Sequence, residues 1–252
     1  MNDWLETPVV SSTDQNYMTH YLSGNSKERN WSFFWSPSDQ VALWVAYPLN
    51  SSLIGSGDRT DDWGIDPLLS ASSQPDLHST YAEYKSDGSG YDRGHQIPSA
   101  DRLNYAENVS TFYFTNMTPQ HTKFNGGAWQ TLEDDVRGWA TASGTEMLYV
   151  VTGCVVSGST RKAHDNDGKE VTIPTHYYKV LLRYRNGAYT ACGFWFDHED
   201  YPTVSQYKAN RAGWRKSVDE IEALTGIDFF PNLIGVVGQA KANAIESTAT
   251  AF

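Results

Sequence analysis

Residues 91–140 constrain this chain more than any other stretch: YDRGHQIPSADRLNYAENVSTFYFTNMTPQHTKFNGGAWQTLEDDVRGWA. Near its end, Trp129, Leu132, Val136 and Trp139 recur at three- and four-residue steps. At 100° per residue they fall within one narrow arc, the buried stripe of a helix opened by Gly126-Gly127. Glu133 and Arg137 are four apart and share a neighbouring stripe. Upstream lie Asp92-Arg93-Gly94-His95, Asn116 and Asn125. Any fold for this chain has to bury the helix stripe while gathering a histidine, two amides, a carboxylate and arginines around it.

Taken singly, each of these residues has an ordinary reading. Glu133 and Arg137 could be a surface pair one turn apart. Asn125 could cap a helix beside its glycines, Asn116 could sit in a turn, His95 could be a structural histidine and Arg93 a solvated charge. Together they suit metal-assisted attack on a phosphodiester. A histidine near its ordinary pKa can take a proton from water at neutral pH. A hard divalent ion can stabilise the charge that develops on phosphate and leaving oxygen. Arginine forks match phosphate oxygens, and Asn or Glu oxygens suit Mg2+, which keeps several of its waters. On a straight helix Asn125 and Glu133 would be about 12 Å apart along the axis, too far for both to grip one ion directly. Glu133 therefore reads as reaching the metal through water.

The combination resembles the DNA/RNA non-specific endonucleases of the ββα-metal finger group. The matching residues are Asp92-Arg93-Gly94-His95, Asn116-Met117-Thr118-Pro119-Gln120, Asn125-Gly126-Gly127-Ala128-Trp129 and Leu132-Glu133, in that order. The resemblance implies roles: His95 as general base, Asn125 as direct metal ligand, Glu133 as the acid holding the metal's water shell. It places Asn116 at the family's site asparagine, Arg137 at the arginine one turn beyond the glutamate, and Arg93 at the arginine of the tetrad. Arg59, preceding Trp63-Gly64-Ile65-Asp66-Pro67, resembles the family arginine that faces the substrate phosphate, with a small insertion before the tryptophan; a loop charge is the rival reading. Asp61, Asp62 and Asp66 admit a second metal site but read better as a solvated loop. His176, in a run similar to the family's P-[ST]-H-[FY]-[FY]-K-V, is a rival base that the resemblance makes structural. Ile227-Asp228-Phe229-Phe230-Pro231 resembles the family's closing run, so the likeness spans residues 59–233.

Around that centre the pattern predicts an α+β fold: a mostly antiparallel central sheet flanked by helices, with a ββα-metal finger carrying the site. Residues 33–35 and 41–47 read as a hairpin around Ser36-Pro37-Ser38-Asp39. Residues 147–156, nearly all apolar, read as a central strand buried on both faces. Residues 158–171 read as a charged hairpin turning at Asn166-Asp167-Gly168. Residues 173–182 and 189–196 read as two further strands, and 112–114 as a short strand leading into Asn116. Residues 204–226 read as one long helix, capped by Ser205 and closed by Gly226, with Lys208, Arg211, Arg215 and Lys216 as its basic face. The domain division expected is an N-terminal arm over 1–28 with a short element at 17–22, one nuclease domain over 29–240, and a fraying tail over 241–252.

The net charge of -11 speaks against a tight nucleic-acid binder, but not against a hydrolase that must release its products. Cys154 and Cys192 lie in strand-like runs and read as buried thiols rather than a bridge. Met1 is followed by neither a basic nor an apolar leader segment. The resemblance favours a secreted or periplasmic protein whose leader has been removed over a cytoplasmic one. It also implies DNA and RNA as substrates, 5'-phosphate ends, Mg2+ as cofactor with Mn2+ or Ca2+ admitted in its place, and a homodimer as an admitted assembly. Two alternatives remain: a non-catalytic nucleic-acid or partner-binding module of the same fold, and a phosphodiesterase for another phosphate ester.

Overall fold

Strands that are buried on both faces fix the middle of this molecule, and helices cover each face in turn. The structure is a computed structural model describing residues 4–10 and 14–252. In chain order come β1 (Tyr17–Leu22), β2 (Asn25–Ser36), β3 (Val41–Leu49), α1 (Ser51–Ile54), β4 (Tyr91–His95), α2 (Tyr105–Thr111), β5 (Met117–His121) and α3 (Thr122–Phe124). A π-helical turn, Asn125–Trp129, leads into α4 (Gln130–Thr141). Then follow β6 (Thr145–Val155), the short pair β7 (Lys162–His164) and β8 (Glu170–Thr172), β9 (His176–Arg185) and β10 (Ala188–Asp197). The chain closes with α5 (Val204–Ala209), α6 (Arg211–Trp214), β11 (Arg215–Lys216), α7 (Val218–Thr225), α8 (Leu233–Val237) and α9 (Gln239–Glu246).

Seven strands form one sheet in the order β1-β2-β3-β6-β9-β10-β11, every pair antiparallel. β6 lies at its centre, where the apolar run predicted a strand covered on both sides. In β9, Tyr177, Lys179 and Leu181 alternate with Tyr178, Val180 and Leu182, and all six are buried. Tyr177 and Leu181 pack with Trp129, Leu132 and Val136 of the π-turn and α4. Tyr178, Val180 and Leu182 pack with Val218 and Ile221 of α7 and with Phe229, Phe230, Leu233, Ala242 and Ile245. The result is helix, sheet, helix. The front layer also contains the separate pair β4-β5, which with α4 makes the ββα element.

Four local expectations change. The segment read as an N-terminal arm is held to the body of the protein, apart from residues 1–3 and 11–13, which lie outside the described residues: Val9 N–H donates to Asp228 O, and residues 17–22 form β1 of the sheet. Tyr17 pairs with Phe34 and His20 with Trp31, and His20 Nε2 meets the buried Asp66 carboxylate at 2.9 Å. Residues 112–114 are not a strand; α2 ends there and a 3₁₀ turn, Phe114–Asn116, delivers Asn116 to β5. The single helix over 204–226 is instead α5, α6, β11 and α7. Asn210 leaves helical geometry at φ -143°, ψ 53°, and Ser217 starts a new helix through a capping box with Glu220. Arg215 and Lys216, expected on a helical face, pair with Phe194 and Gly193 on the sheet edge. The tail does not fray as a free end: Ala242 is buried, Thr250 N–H donates to Ala191 O, and Phe252 packs edge-on to Trp139.

Candidate active site

The ββα element delivers the motif residues to one place because β4 and β5 pair in strict register, with Asp92 opposite Gln120 and Gly94 opposite Thr118. Gly94 is needed there: a Cβ would stand 2.5 Å from the Gln120 side chain. At the end of β5 the chain turns through α3 into the π-turn, which kinks at Gly127 (φ -120°, ψ -114°) before α4 begins. That kink breaks the straight-helix spacing, and Asn125 and Glu133 line the same cleft of about 570 Å3. Arg59, Trp63, Asp92, Arg93, His95 and Arg137 line it with them.

His95 sits in an aromatic box. Its ring is edge-on to Trp63 at 5.4 Å and to Phe112 at 5.1 Å between centroids. Both cations beside it also lie on aromatic faces: Arg93 Cζ is 3.4 Å from the Trp63 centroid and Arg59 Cζ 4.6 Å from that of Phe112. Burial first, then the positive charges of Arg59 and Arg93, push the imidazole pKa down to about 3. The ring is therefore neutral at pH 7, and its Nε2 has no hydrogen-bond partner among the described residues. A neutral imidazole carries one N–H and one bare nitrogen, and with the ring's other nitrogen donating to the Arg93 backbone, Nε2 is the bare, accepting one.

Opposite chemistry is set up around Asn125. Its Nδ2 donates to Asp92 Oδ2 at 2.9 Å, and Asp92 Oδ1 accepts from Thr122 Oγ1 at 2.8 Å. With the amide nitrogen so held, Oδ1 is the end left for a cation. Asn125 does stand at a helix end, as the C-cap of α3 with its backbone N–H donating to Thr122 O, but its side chain is engaged by Asp92. Asp92, present in the motif but given no role from sequence, is the residue that orients the amide. The only sequence signal for it was its place in Asp92-Arg93-Gly94-His95.

Glu133 and Arg137 share the cleft but do not pair as their four-residue spacing suggested. Arg137 donates from Nη1 to the buried Asp101 at 2.9 Å and from Nη2 to Asp134. Asp101 in turn accepts from Tyr47 Oη at 2.8 Å. Beneath Glu133 lies Lys179, fully buried, donating to Thr152 Oγ1 at 2.7 Å and lying 4.6 Å from the Trp129 centroid. Burial raises the Glu133 carboxyl well above the usual carboxylate range, against the pull of Lys179 and Arg137. Lys179 is lowered by the same burial. The sequence reading gave Asp101 no role, and Lys179 appeared in it only as the lysine of the P-[ST]-H-[FY]-[FY]-K-V run.

Arg93 is anchored by its Nη1 to the carbonyls of Leu77 and His78, at 2.7 and 3.0 Å. Arg59 is held by Asp61 at 2.7 Å and by Ser99 Oγ at 3.0 Å. Asn116 does not enter the cleft. It is fully buried, with Oδ1 accepting from Ile97 N–H and Nδ2 donating to the carbonyls of Ile97 and Thr111. Those bonds tie the strand after His95 to the end of α2. His176 stands on the opposite side of β9 from Tyr177 and Lys179, beside Asp197 and Trp195. The three aspartates do not converge: Asp66 is buried with His20 and Thr115, and Asp61 pairs with Arg59. Cys154 and Cys192 are free and buried.

The donor set fits one hydrated cation. Among the described residues no three His, Cys, Asp or Glu side chains gather as a metal cage. One amide oxygen on Asn125 with the Glu133 carboxylate in the same cleft suits an ion that retains most of its waters.

Comparison with known proteins gives a consistent picture. Residues 12–234 match the DNA/RNA non-specific endonuclease family. The chain is 34% identical over 248 residues to a nuclease of Nostoc sp., covering 90% of this chain and 86% of that protein. It is 30% identical over 203 residues to a nuclease of Serratia marcescens (77% and 70% covered). Human mitochondrial endonuclease G is 30% identical over 223 residues (82% and 70% covered). Among solved structures, the EndoG/EndoGI complex superposes with a TM-score of 0.61 over 80% of this chain and 83% of the other, at 23% identity, a likeness of fold.

Proposed function

Since the chain belongs to the DNA/RNA non-specific endonuclease family and is a nuclease, we propose that it cuts phosphodiesters of DNA and RNA with His95 as general base and a Mg2+ ion held by Asn125, with Glu133 acting through water. The observation that carries this reading is the pairing, in one cleft, of a neutral histidine whose Nε2 is unpartnered with an asparagine whose Nδ2 is fixed by Asp92. His95 takes a proton from water at Nε2, and its aromatic box keeps it in the accepting form. Arg93 and Arg59 face the phosphate oxygens with guanidinium groups that their anchors hold in place. Arg137, locked to Asp101, adds a fixed positive charge at the far side of Glu133. Asn125, with Nδ2 held by Asp92, would offer Oδ1 to the ion, and Glu133 would hold the ion's waters. A bound divalent ion supplies charge stabilisation at the phosphate and at the departing oxygen. Contacts of this kind address the backbone and not base edges, which supports weak sequence preference. Departure of O3' gives 5'-phosphate ends.

A plasmid-nicking assay with and without EDTA, with end-group analysis, tests the proposal. Metal-dependent nicking leaving 5'-phosphates is expected. Full cleavage in EDTA would remove the ion from the reading. Absence of cleavage with Mg2+, Mn2+ or Ca2+ would instead favour the non-catalytic module. Among the described residues no helix is long and apolar enough to cross a membrane. Export to the periplasm or medium belongs to the same proposal, because an uninhibited nuclease in a cytoplasm would cut its host; cell fractionation checks it.

A further inference from the structure

Beside the catalytic cleft lies a second groove, of about 540 Å3, bounded by Gly57, Asp58, Thr60, Asp62, Leu103 and Tyr105. Arg59 lines both, so this residue stands where the two hollows meet. The groove is built into the fold. Gly55 and Gly57 let the 55–62 loop press against the start of α2, where a Cβ would stand 2.4 Å from the Asn104 side chain and 2.3 Å from Leu103 O respectively. Thr60 N–H donates to the buried Asn108 Oδ1 at 2.9 Å, and Asn108 Nδ2 holds the carbonyls of Ser99 and Arg102 at 2.9 and 2.6 Å. The loop, Arg59 and the cleft floor are thus tied to one scaffold.

Tyr105 forms one wall, at the first position of α2. It is 72% exposed, the most exposed of the large apolar side chains among the described residues, and its hydroxyl reaches only Asp62, at 3.4 Å. A tyrosine left open beside an arginine is an uncovered stacking face. The two aspartates decide what can lie on it. Asp58 and Asp62 repel phosphate, so a polynucleotide backbone would not run through this groove, whereas an uncharged base carrying N–H donors would find acceptors there.

We infer that this groove is a nucleobase subsite: a base next to the scissile phosphate stacks on Tyr105 while Arg59 holds the intervening phosphate. The inference rests on the nuclease reading and names one of its substrate contacts. Bases that present amino or ring N–H donors to Asp58 and Asp62 are preferred in it, and flexible single strands enter it more readily than a paired duplex, whose bases are already stacked.

The test is a coupling experiment between protein and base. End-labelled single-stranded oligonucleotides carrying one abasic residue, moved along the strand, are cut by the wild-type protein and by Tyr105→Ala and Tyr105→Phe, with Mg2+. Relative rates are read at each phosphodiester. In the wild type, cleavage falls roughly tenfold when the abasic residue occupies one fixed position beside the cut, the scale of one stacked base. In Tyr105→Ala that penalty disappears, and Tyr105→Phe keeps it. Thermal unfolding of all three proteins should coincide, since the side chain is largely in solvent. If the abasic penalty is the same in Tyr105→Ala as in the wild type, or absent from both, the subsite is overturned while the nuclease reading stands. Failure of the wild type to cut any of the strands would overturn the nuclease reading itself.

Discussion

The two faces of the seven-stranded sheet are held by different means. On the back, α7, α8, α9 and the connection between α7 and α8 meet the sheet through apolar side chains such as Ile221, Leu233 and Ile245 on the helices and Phe229 and Phe230 in the connection. On the front, the apolar contacts of Trp129, Leu132 and Val136 are interleaved with the fully buried Lys179 and Arg102 and with Asp101, at 1% exposure. Arg102 alone donates to Asn30 Oδ1, Asn30 O, Pro48 O and Asp101 O, at 2.6 to 2.8 Å. Buried charge is costly unless it is paired and hydrogen-bonded, so area alone would have served the front as it serves the back. What the charges add is direction. Apolar contacts let side chains slide, whereas Asp101 fixes Arg137, and Asp92 fixes Asn125, each by a bond of defined geometry. The back face supplies stability and the front face supplies position.

That contrast can be broken most sharply at His95. His95→Ala should lower kcat by about 100-fold to 10,000-fold, the range for a lost general base, with little change in the unfolding midpoint. Wild-type-like turnover would take the base role from His95; unfolding of the variant would mean that the front face is structural like the back. Phe229→Ala on the back face is the converse. It removes a fully buried ring and should cost about 3–5 kcal/mol of stability, measured by urea unfolding, while kcat of the protein still folded is unchanged. A fall in kcat at constant folded fraction would mean that the back layer also sets the cleft geometry.

Acid should act through the front. His198 is fully buried, accepts His121 N–H at Nε2 at 2.8 Å, and its Nδ1 meets Pro174 O at 2.7 Å. Burial pushes its pKa down to about 4. The unfolded chain takes up this proton near pH 6.5 and the folded chain only near 4. The stability this group contributes is therefore complete above about pH 6.5 and is lost as pH falls towards 4, by at most about 3 kcal/mol. His198→Gln, followed by urea unfolding between pH 7 and 4, should flatten that slope. An unchanged slope would place the acid sensitivity elsewhere. The smallest expected effect concerns orientation: Asp92→Ala should raise the Mg2+ concentration needed for half-maximal cleavage by about 10- to 100-fold, with activity recovering at high Mg2+. A loss that no Mg2+ concentration relieves would make Asp92 more than an orienting group.

Much of this molecule was written locally. Near-continuous runs of apolar and aromatic residues gave β6, β9 and β10, because a strand covered on both sides needs apolar residues at nearly every position. The Trp129–Leu132–Val136 stripe gave α4, and the resemblance carried by the motif residues pointed to side chains that line one cleft. Reading residues 204–226 as one helix failed because its apolar period continues through Asn210 and Ser217, where side-chain bonds to backbone amides restart the chain in a new direction. The C-terminal segment looked frayed because its Ala- and Thr-rich composition carries little signal; a single strand-edge bond to Ala191 and the Trp139 ring hold it.

By itself the sequence determined which residue types were available to the site and the order in which they come. Only the tertiary structure decided which of them face it. Asn116 and Asn125 are indistinguishable as letters, yet one is saturated by backbone groups of Ile97 and Thr111 and the other lines the cleft with its Nδ2 held by Asp92. Arg137 is four residues from Glu133 but bonds to Asp101, thirty-six positions away. A side chain's partner is fixed by distance in space, and contacts between residues far apart in the chain exist only once the sheet has brought them together.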